Sequence, residues 1–133
     1  MKLCMIGTGY VGLVSGVCFS DVGNKVYCVD KDQNKINSLK KGNVPIYEPG
    51  LEELLKKNLK QNRLIFTSNL KKAVLDSNIV FICVGTPTKK NSNSADLKNV
   101  FEVARQLKKY ITKYKIIITK STVPVTTGDQ IEK

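Results

Sequence analysis

Apolar positions along the chain follow two alternating rhythms: short unbroken runs, and longer stretches with helical spacing. Residues 2–6, 25–29, 64–66, 79–84 and 115–119 are the short runs and predict five strands. Between them, residues 11–22 carry Val11, Val14, Cys18 and Val22 at i, i+3, i+7 and i+11, the spacing of one helix face. Further helices are expected over 33–40, 51–59, 70–75 and 96–111. The last of these is strongly amphipathic, through Val100, Val103, Ala104, Leu107 and Ile111. Residues 79–84 are apolar at every position, as a parallel strand covered on both faces requires. Two prolines and a glycine break Val44-Pro45-Ile46-Tyr47-Glu48-Pro49-Gly50. A polar loop is expected over 89–94, and the final residues resemble the start of another helix.

Strand and helix alternating in this way predict βαβ units and an α/β fold, a Rossmann-type doubly wound parallel sheet. A full fold of that type has a sixth strand, so the sheet is expected to be truncated after the fifth, with residues 1–133 forming one incomplete domain. The fifth strand would then leave Ile116-Ile117-Ile118 on an open edge, and association with a second copy is expected.

The first strand runs directly into Gly7-Thr8-Gly9-Tyr10-Val11-Gly12, and a helix runs directly out. Alone, G-x-G-x-x-G is a weak signal, but this context gives each glycine a task. Gly7 permits the tight turn, Gly9 lets backbone approach a pyrophosphate, and Gly12 lets the helix pack against the strand. Gly16, one turn later, extends that close packing. The helix N-terminus offers unpaired N–H groups and partial positive charge to phosphates. Asp30 closes the second strand, 18 residues after Gly12 and near the expected ~20. A carboxylate there accepts ribose hydroxyls and repels a 2′-phosphate, favouring NAD over NADP. Lys31 and Lys35 work against that preference.

Two more loops, Val84-Gly85-Thr86-Pro87-Thr88 and Lys120-Ser121-Thr122-Val123-Pro124, follow strands four and five. Carboxyl ends of strands in such a sheet border the cofactor crevice, within reach of the pyrophosphate, second ribose or nicotinamide.

Composition narrows the picture. The net charge is +11, yet all 22 basic residues except Arg63 and Arg105 are lysines, scattered in pairs. Base readout and phosphate forks favour arginine, so nucleic acid is not expected as a partner. The longest apolar run has six residues, where a membrane span needs ~20. Without that or a signal-peptide core, a cytoplasmic protein is expected and no membrane partner. No histidine is present, which removes histidine-based triads and zinc patterns. Cys4, Cys18, Cys28 and Cys83 form no CxxC pair and read as small apolar residues; no metal site is expected.

Five stretches together resemble the UDP-glucose/GDP-mannose dehydrogenase family. They are the glycine loop through Leu13, Pro45-Ile46-Tyr47-Glu48-Pro49-Gly50-Leu51, Gly85-Thr86-Pro87, Ala95-Asp96-Leu97 and Lys120-Ser121-Thr122-Val123-Pro124. The resemblance implies that Val11, Asp30, Lys35, Thr86 and Thr122 stand at NAD-contacting positions, with Thr122 also helping to order water near the reacting carbon. The full set of expected cofactor contacts is Gly7, Thr8, Gly9, Tyr10, Val11, Gly12, Asp30, Lys35, Gly85, Thr86, Pro87, Ser121 and Thr122. It implies an oxidoreductase that converts a nucleotide sugar's C6 alcohol to a carboxylate, in two hydride transfers to two NAD. The UDP-sugar would be met only in a complete, homo-oligomeric enzyme. The family's cysteine nucleophile and lysine lie in segments not represented here, so the 133 residues are expected to be inactive alone. The Tyr47-Glu48-Pro49-Gly50 form leans toward UDP-glucose. The alternative is a stand-alone NAD- or nucleotide-binding module without catalysis.

Overall fold

Each strand is apolar on both sides, and the alternation of its side chains divides the core in two. The structure, a computed structural model, describes residues 1–90 and 92–132. The polar loop expected over 89–94 includes Asn91, which lies outside the described residues, as does Lys133. The elements run β1 (Lys2–Ile6), α1 (Tyr10–Asp21), β2 (Lys25–Val29), α2 (Gln33–Lys40) and α3 (Leu51–Lys60). They continue through β3 (Leu64–Thr67), α4 (Leu70–Asp76), β4 (Ile79–Ile82), α5 (Lys98–Tyr110), β5 (Ile116–Thr119) and α6 (Thr127–Glu132).

All strand pairings are parallel, and the sheet order is β3-β2-β1-β4-β5. The chain winds outward from β1 in one direction to β3, then returns to β1's other side for β4 and β5. The order therefore reverses between β1 and β4, the place where such sheets open a crevice at their carboxyl ends. Leu3 and Met5 of β1, with Val26 and Cys28 of β2, face Leu13, Val17, Ile36, Leu39, Leu51 and Leu55 of α1–α3. Cys4, Ile6, Tyr27 and Val29 face the opposite way, onto Ala73, Val74, Val100, Val103 and Leu107 of α4 and α5. Helices on both faces explain why β4 carries no polar position.

Two boundaries differ from the sequence expectation by more than one residue. β4 stops at Ile82 because its neighbours end level with it, at Ile6 of β1 and Thr119 of β5, and the chain then turns away as a loop. α5 begins at Lys98, two residues late, because Asp96 spends its carboxylate on the Lys98 N–H (3.0 Å) outside the helix. β5 is an edge strand, with Ile116 45% exposed and Ile117 and Ile118 half-buried.

Candidate functional site

The turn from β1 into α1 is built from backbone. Gly7 has φ +103°, a conformation that side-chain-bearing residues rarely adopt, and a Cβ there would lie 2.7 Å from the Cys83 carbonyl oxygen. At Gly12 a Cβ would sit 1.9 Å from the Gly7 carbonyl oxygen, and at Gly16 one would sit 2.5 Å from Cys28 Sγ. These contacts press α1 onto β1 and aim its first turn along the carboxyl edge of the sheet. The Leu13 N–H is the first to bond back, to the Gly9 carbonyl (2.9 Å), so the N–H groups ahead of it open at the helix N-terminus. Gly9 differs from its neighbours: a Cβ there would meet no atom within 4 Å. The space in front of Gly9 is free for a ligand and would be filled by any side chain.

Gly9 borders a cleft of about 350 Å³ over the carboxyl ends of β1, β2 and β4. Gly7, Asp30, Lys35 and Gly85 also line it. The opposite wall comes from Leu70 at the start of α4, Val84, and Asn99, Glu102, Val103 and Gln106 of α5. That volume and its mixture of apolar walls and few polar heads suit a small-molecule site.

Asp30 is the cleft's fixed charge. Its Oδ2 accepts from the Thr8 N–H (3.0 Å) and the Thr8 hydroxyl (2.6 Å), and Lys35 Nζ lies 3.5 Å away. Oδ1 accepts the Asp32 N–H (3.1 Å). Burial pushes the carboxyl up, but the Thr8 and Asp32 hydrogen bonds and the Lys35 charge outweigh it, and Asp30 is held below the usual carboxylate range. Lys35 owes its place to Asp32, whose carboxylate caps α2 by accepting from the Asn34 and Lys35 N–H groups. A ribose diol needs an ionised acceptor of this kind, at the end of the second strand. An adenosine diphosphate moiety therefore fits the residues present: open backbone at Gly9, a helix N-terminus, and a carboxylate across the cleft.

The remaining expected contacts fall into three groups. Thr8 is buried beneath the cleft, with its hydroxyl spent on Asp30, and Gly12 is packed under the loop. Tyr10 and Val11 face outward from the first turn of α1, 54% and 46% exposed, and the Tyr10 hydroxyl donates to Glu48. Thr86, Ser121 and Thr122 gather beyond β4 and β5. The Thr86 hydroxyl donates to the Thr122 carbonyl (3.0 Å) and stands 3.1 Å from the Thr122 hydroxyl, while Ser121 donates to the Val84 carbonyl (2.7 Å). Pro87 heads the following loop, its carbonyl accepting the Asp96 N–H (2.7 Å). The two loops after β4 and β5 are thus joined to each other and lie on the same sheet edge as the glycine loop.

Sequence reasoning missed Leu70 and the α5 wall. One signal was present: Asn99, Glu102 and Gln106 recur at i, i+3 and i+7, forming a polar stripe beside the buried Val100–Val103–Leu107 face. Among the described residues no cluster of three or more His, Cys, Asp or Glu side chains could hold a metal ion. No helix there is long and apolar enough to cross a membrane.

Comparison with known proteins places this geometry. Residues 1–133 match the model of the UDP-glucose/GDP-mannose dehydrogenase family, NAD binding domain. The chain is 53% identical over 133 residues to UDP-glucose 6-dehydrogenase of Rhizobium meliloti (strain 1021), covering 100% of this chain and 30% of that protein. It is 50% identical over 131 residues to UDP-glucose 6-dehydrogenase TuaD of Bacillus subtilis (strain 168), covering 98% of this chain and 28% of the relative. A ternary complex of GDP-mannose dehydrogenase from Pseudomonas aeruginosa superposes with a TM-score of 0.94 at 40% identity, over 98% of this chain and 30% of that one. The UDP-glucose dehydrogenase of Pyrobaculum islandicum gives 0.91 at 37% identity, over 98% and 31%. The chain thus spans under a third of the length of these relatives. It belongs to the UDP-glucose/GDP-mannose dehydrogenase family as an NAD binding domain, and NAD is the cofactor of that domain.

Proposed function

We propose that residues 1–133 are the cofactor-holding part of a nucleotide-sugar dehydrogenase. In the complete enzyme the reaction is oxidation of UDP-glucose to UDP-glucuronate, with NAD accepting a hydride in each of two steps. The Asp30 carboxylate carries this reading, because it is ionised, anchored and placed across the cleft from the open backbone at Gly9. Asp30 accepts the hydroxyls of the adenosine ribose, and the N–H groups at the start of α1 take the pyrophosphate. Tyr10 and Val11 flank that pyrophosphate on the outer side. Gly85, Thr86, Pro87, Ser121 and Thr122 serve the second ribose and nicotinamide, where the paired Thr86 and Thr122 hydroxyls can order water. The Asp30 carboxylate repels a 2′-phosphate, and Lys35 is already engaged by Asp30.

The 133 residues are catalytically silent by themselves. Cys83 is the thiol that borders the cleft, and burial pushes it up to about 11 despite Lys120, so it is protonated at neutral pH and is no nucleophile. That observation also supports the second reading, a cofactor-binding module without chemistry of its own. The UDP-sugar is met by other segments of a cytoplasmic homo-oligomer, with β5 pairing beyond the present sheet edge.

Calorimetric titration with NAD and NADP at two salt concentrations tests the proposal. Saturable NAD binding that exceeds NADP binding and is weakened about 30-fold in Asp30→Ala is the expected result. Equal affinity for both dinucleotides, unaffected by Asp30→Ala, overturns it.

A further inference from the structure

The wall of the cleft that α4, the loop after β4 and α5 supply differs in character from the glycine-loop side. Leu70, Val84 and Val103 supply apolar surface, and Glu102 and Gln106, one helical turn apart on α5, supply the polar heads. The third polar residue of that stripe, Asn99, is already committed: its Nδ2 donates to the Gly85 carbonyl (3.3 Å). Glu102 and Gln106 touch each other instead, with Gln106 Nε2 donating to Glu102 Oε1 (3.5 Å). The Glu102 anion repels a phosphate, so this wall does not suit one. Apolar walls with an amide at the rim suit a purine base.

We infer that Gln106 reads the adenine base of the cofactor, and that Glu102 positions it by fixing which way its amide points. The inference rests on the proposed placement of the adenosine ribose at Asp30. A glutamine amide presents a carbonyl acceptor beside an N–H donor, the complement of adenine's N6–H donor and adjacent ring-nitrogen acceptor. An unrestrained amide rotates by half a turn and presents the reverse pattern equally well. The Glu102 carboxylate accepts only, so it holds the NH2 group on its own side and leaves the Gln106 carbonyl to meet an amino group. Hypoxanthine carries an acceptor oxygen where adenine carries the amino group, and that oxygen would face the fixed carbonyl. Glu102 is therefore a positioning residue and Gln106 a specificity-determining one. Neither is needed for the phosphates or the ribose.

The test is an NMR titration of the 15N-labelled chain with NAD and with nicotinamide hypoxanthine dinucleotide, following backbone and glutamine side-chain amides. The wild-type chain is expected to prefer NAD by about tenfold, the lower range for one bidentate base contact. Glu102→Gln removes the acceptor-only partner and is expected to narrow the preference to about twofold, with an unchanged backbone spectrum and an unchanged preference for NAD over NADP. Gln106→Leu is expected to weaken NAD by about tenfold and leave the hypoxanthine analogue nearly untouched. Equal binding of the two dinucleotides by the wild-type chain overturns the inference while leaving the cofactor site standing. So does a preference that Glu102→Gln leaves intact. Failure of every dinucleotide to bind at millimolar concentration overturns both the cofactor reading and this inference.

Discussion

The two halves of the cofactor edge are built from different materials. At the glycine loop and Asp30, position is set by backbone packed against backbone: Gly12 over the Gly7 carbonyl, Gly7 over the Cys83 carbonyl, and the Thr8 N–H on Asp30. Beyond β4 and β5, position is set by exposed side-chain hydroxyls, Thr86 and Thr122 on one another and Ser121 on a carbonyl. The first half cannot shift without a clash, whereas the second can rearrange at the cost of a hydrogen bond or two. Under the proposed placement of NAD, the rigid half would hold the adenosine end and the adjustable half would meet the nicotinamide end.

Substitutions that exchange these properties are expected to break the comparison in a graded way. Gly12→Ala places a methyl group inside the Gly7 carbonyl and is expected to cost about 3 kcal/mol of stability, read as a lower urea midpoint. A midpoint within error of wild type would mean that the rigid half yields easily. Asp30→Ala removes a charged acceptor and is expected to weaken NAD about 30-fold, or about 2 kcal/mol, and to erase the preference over NADP. Gly9→Ala adds a methyl group that meets no protein atom, so stability should change by less than about 0.5 kcal/mol while NAD affinity falls about tenfold. Stability and affinity falling together would show that Gly9 is structural rather than a ligand contact. Thr86→Val on the adjustable side is expected to cost only about 1 kcal/mol in urea unfolding.

Acid titration gives the mildest contrast. The folded pKa of Asp30 is depressed, so the stability it contributes is full above the ordinary carboxylate value and is lost as pH falls through the lower folded value. Asp30→Asn should therefore flatten the acid limb of the stability curve below about pH 4, whereas Thr86→Val should leave that limb unchanged. A parallel acid limb in Asp30→Asn and wild type would remove Asp30 from the stability balance.

The rigid half was legible in the sequence because its demands are local. Gly7, Gly9 and Gly12 sit between a strand and a helix only a few residues away, and Asp30 follows at a distance set by one helix and one strand. The parallel α/β class followed from the alternation of β and α elements alone. What escaped was the far wall. Leu70 and the Glu102–Gln106 pair come from elements distant in the chain, brought to the cleft only because β4 crosses back beside β1. The end of β4 was also misjudged, since Cys83 and Val84 are as apolar as the strand before them. What ends the strand is that its neighbours stop level with it, at Ile6 and Thr119, which no local pattern encodes.

The depth of the sheet has a practical side. Burial pushes the Cys4 thiol up to about 12, raises Cys28 further, and keeps Cys83 protonated at neutral pH, while Cys18 on α1 is exposed. Toward a maleimide or a nitroxide reagent the folded chain behaves as though it carried a single thiol. A dye or spin label can therefore be attached at Cys18 without engineering away any other cysteine. It then rides on the helix whose opposite end begins beside the cleft, and unfolding announces itself as three more equivalents of reagent consumed.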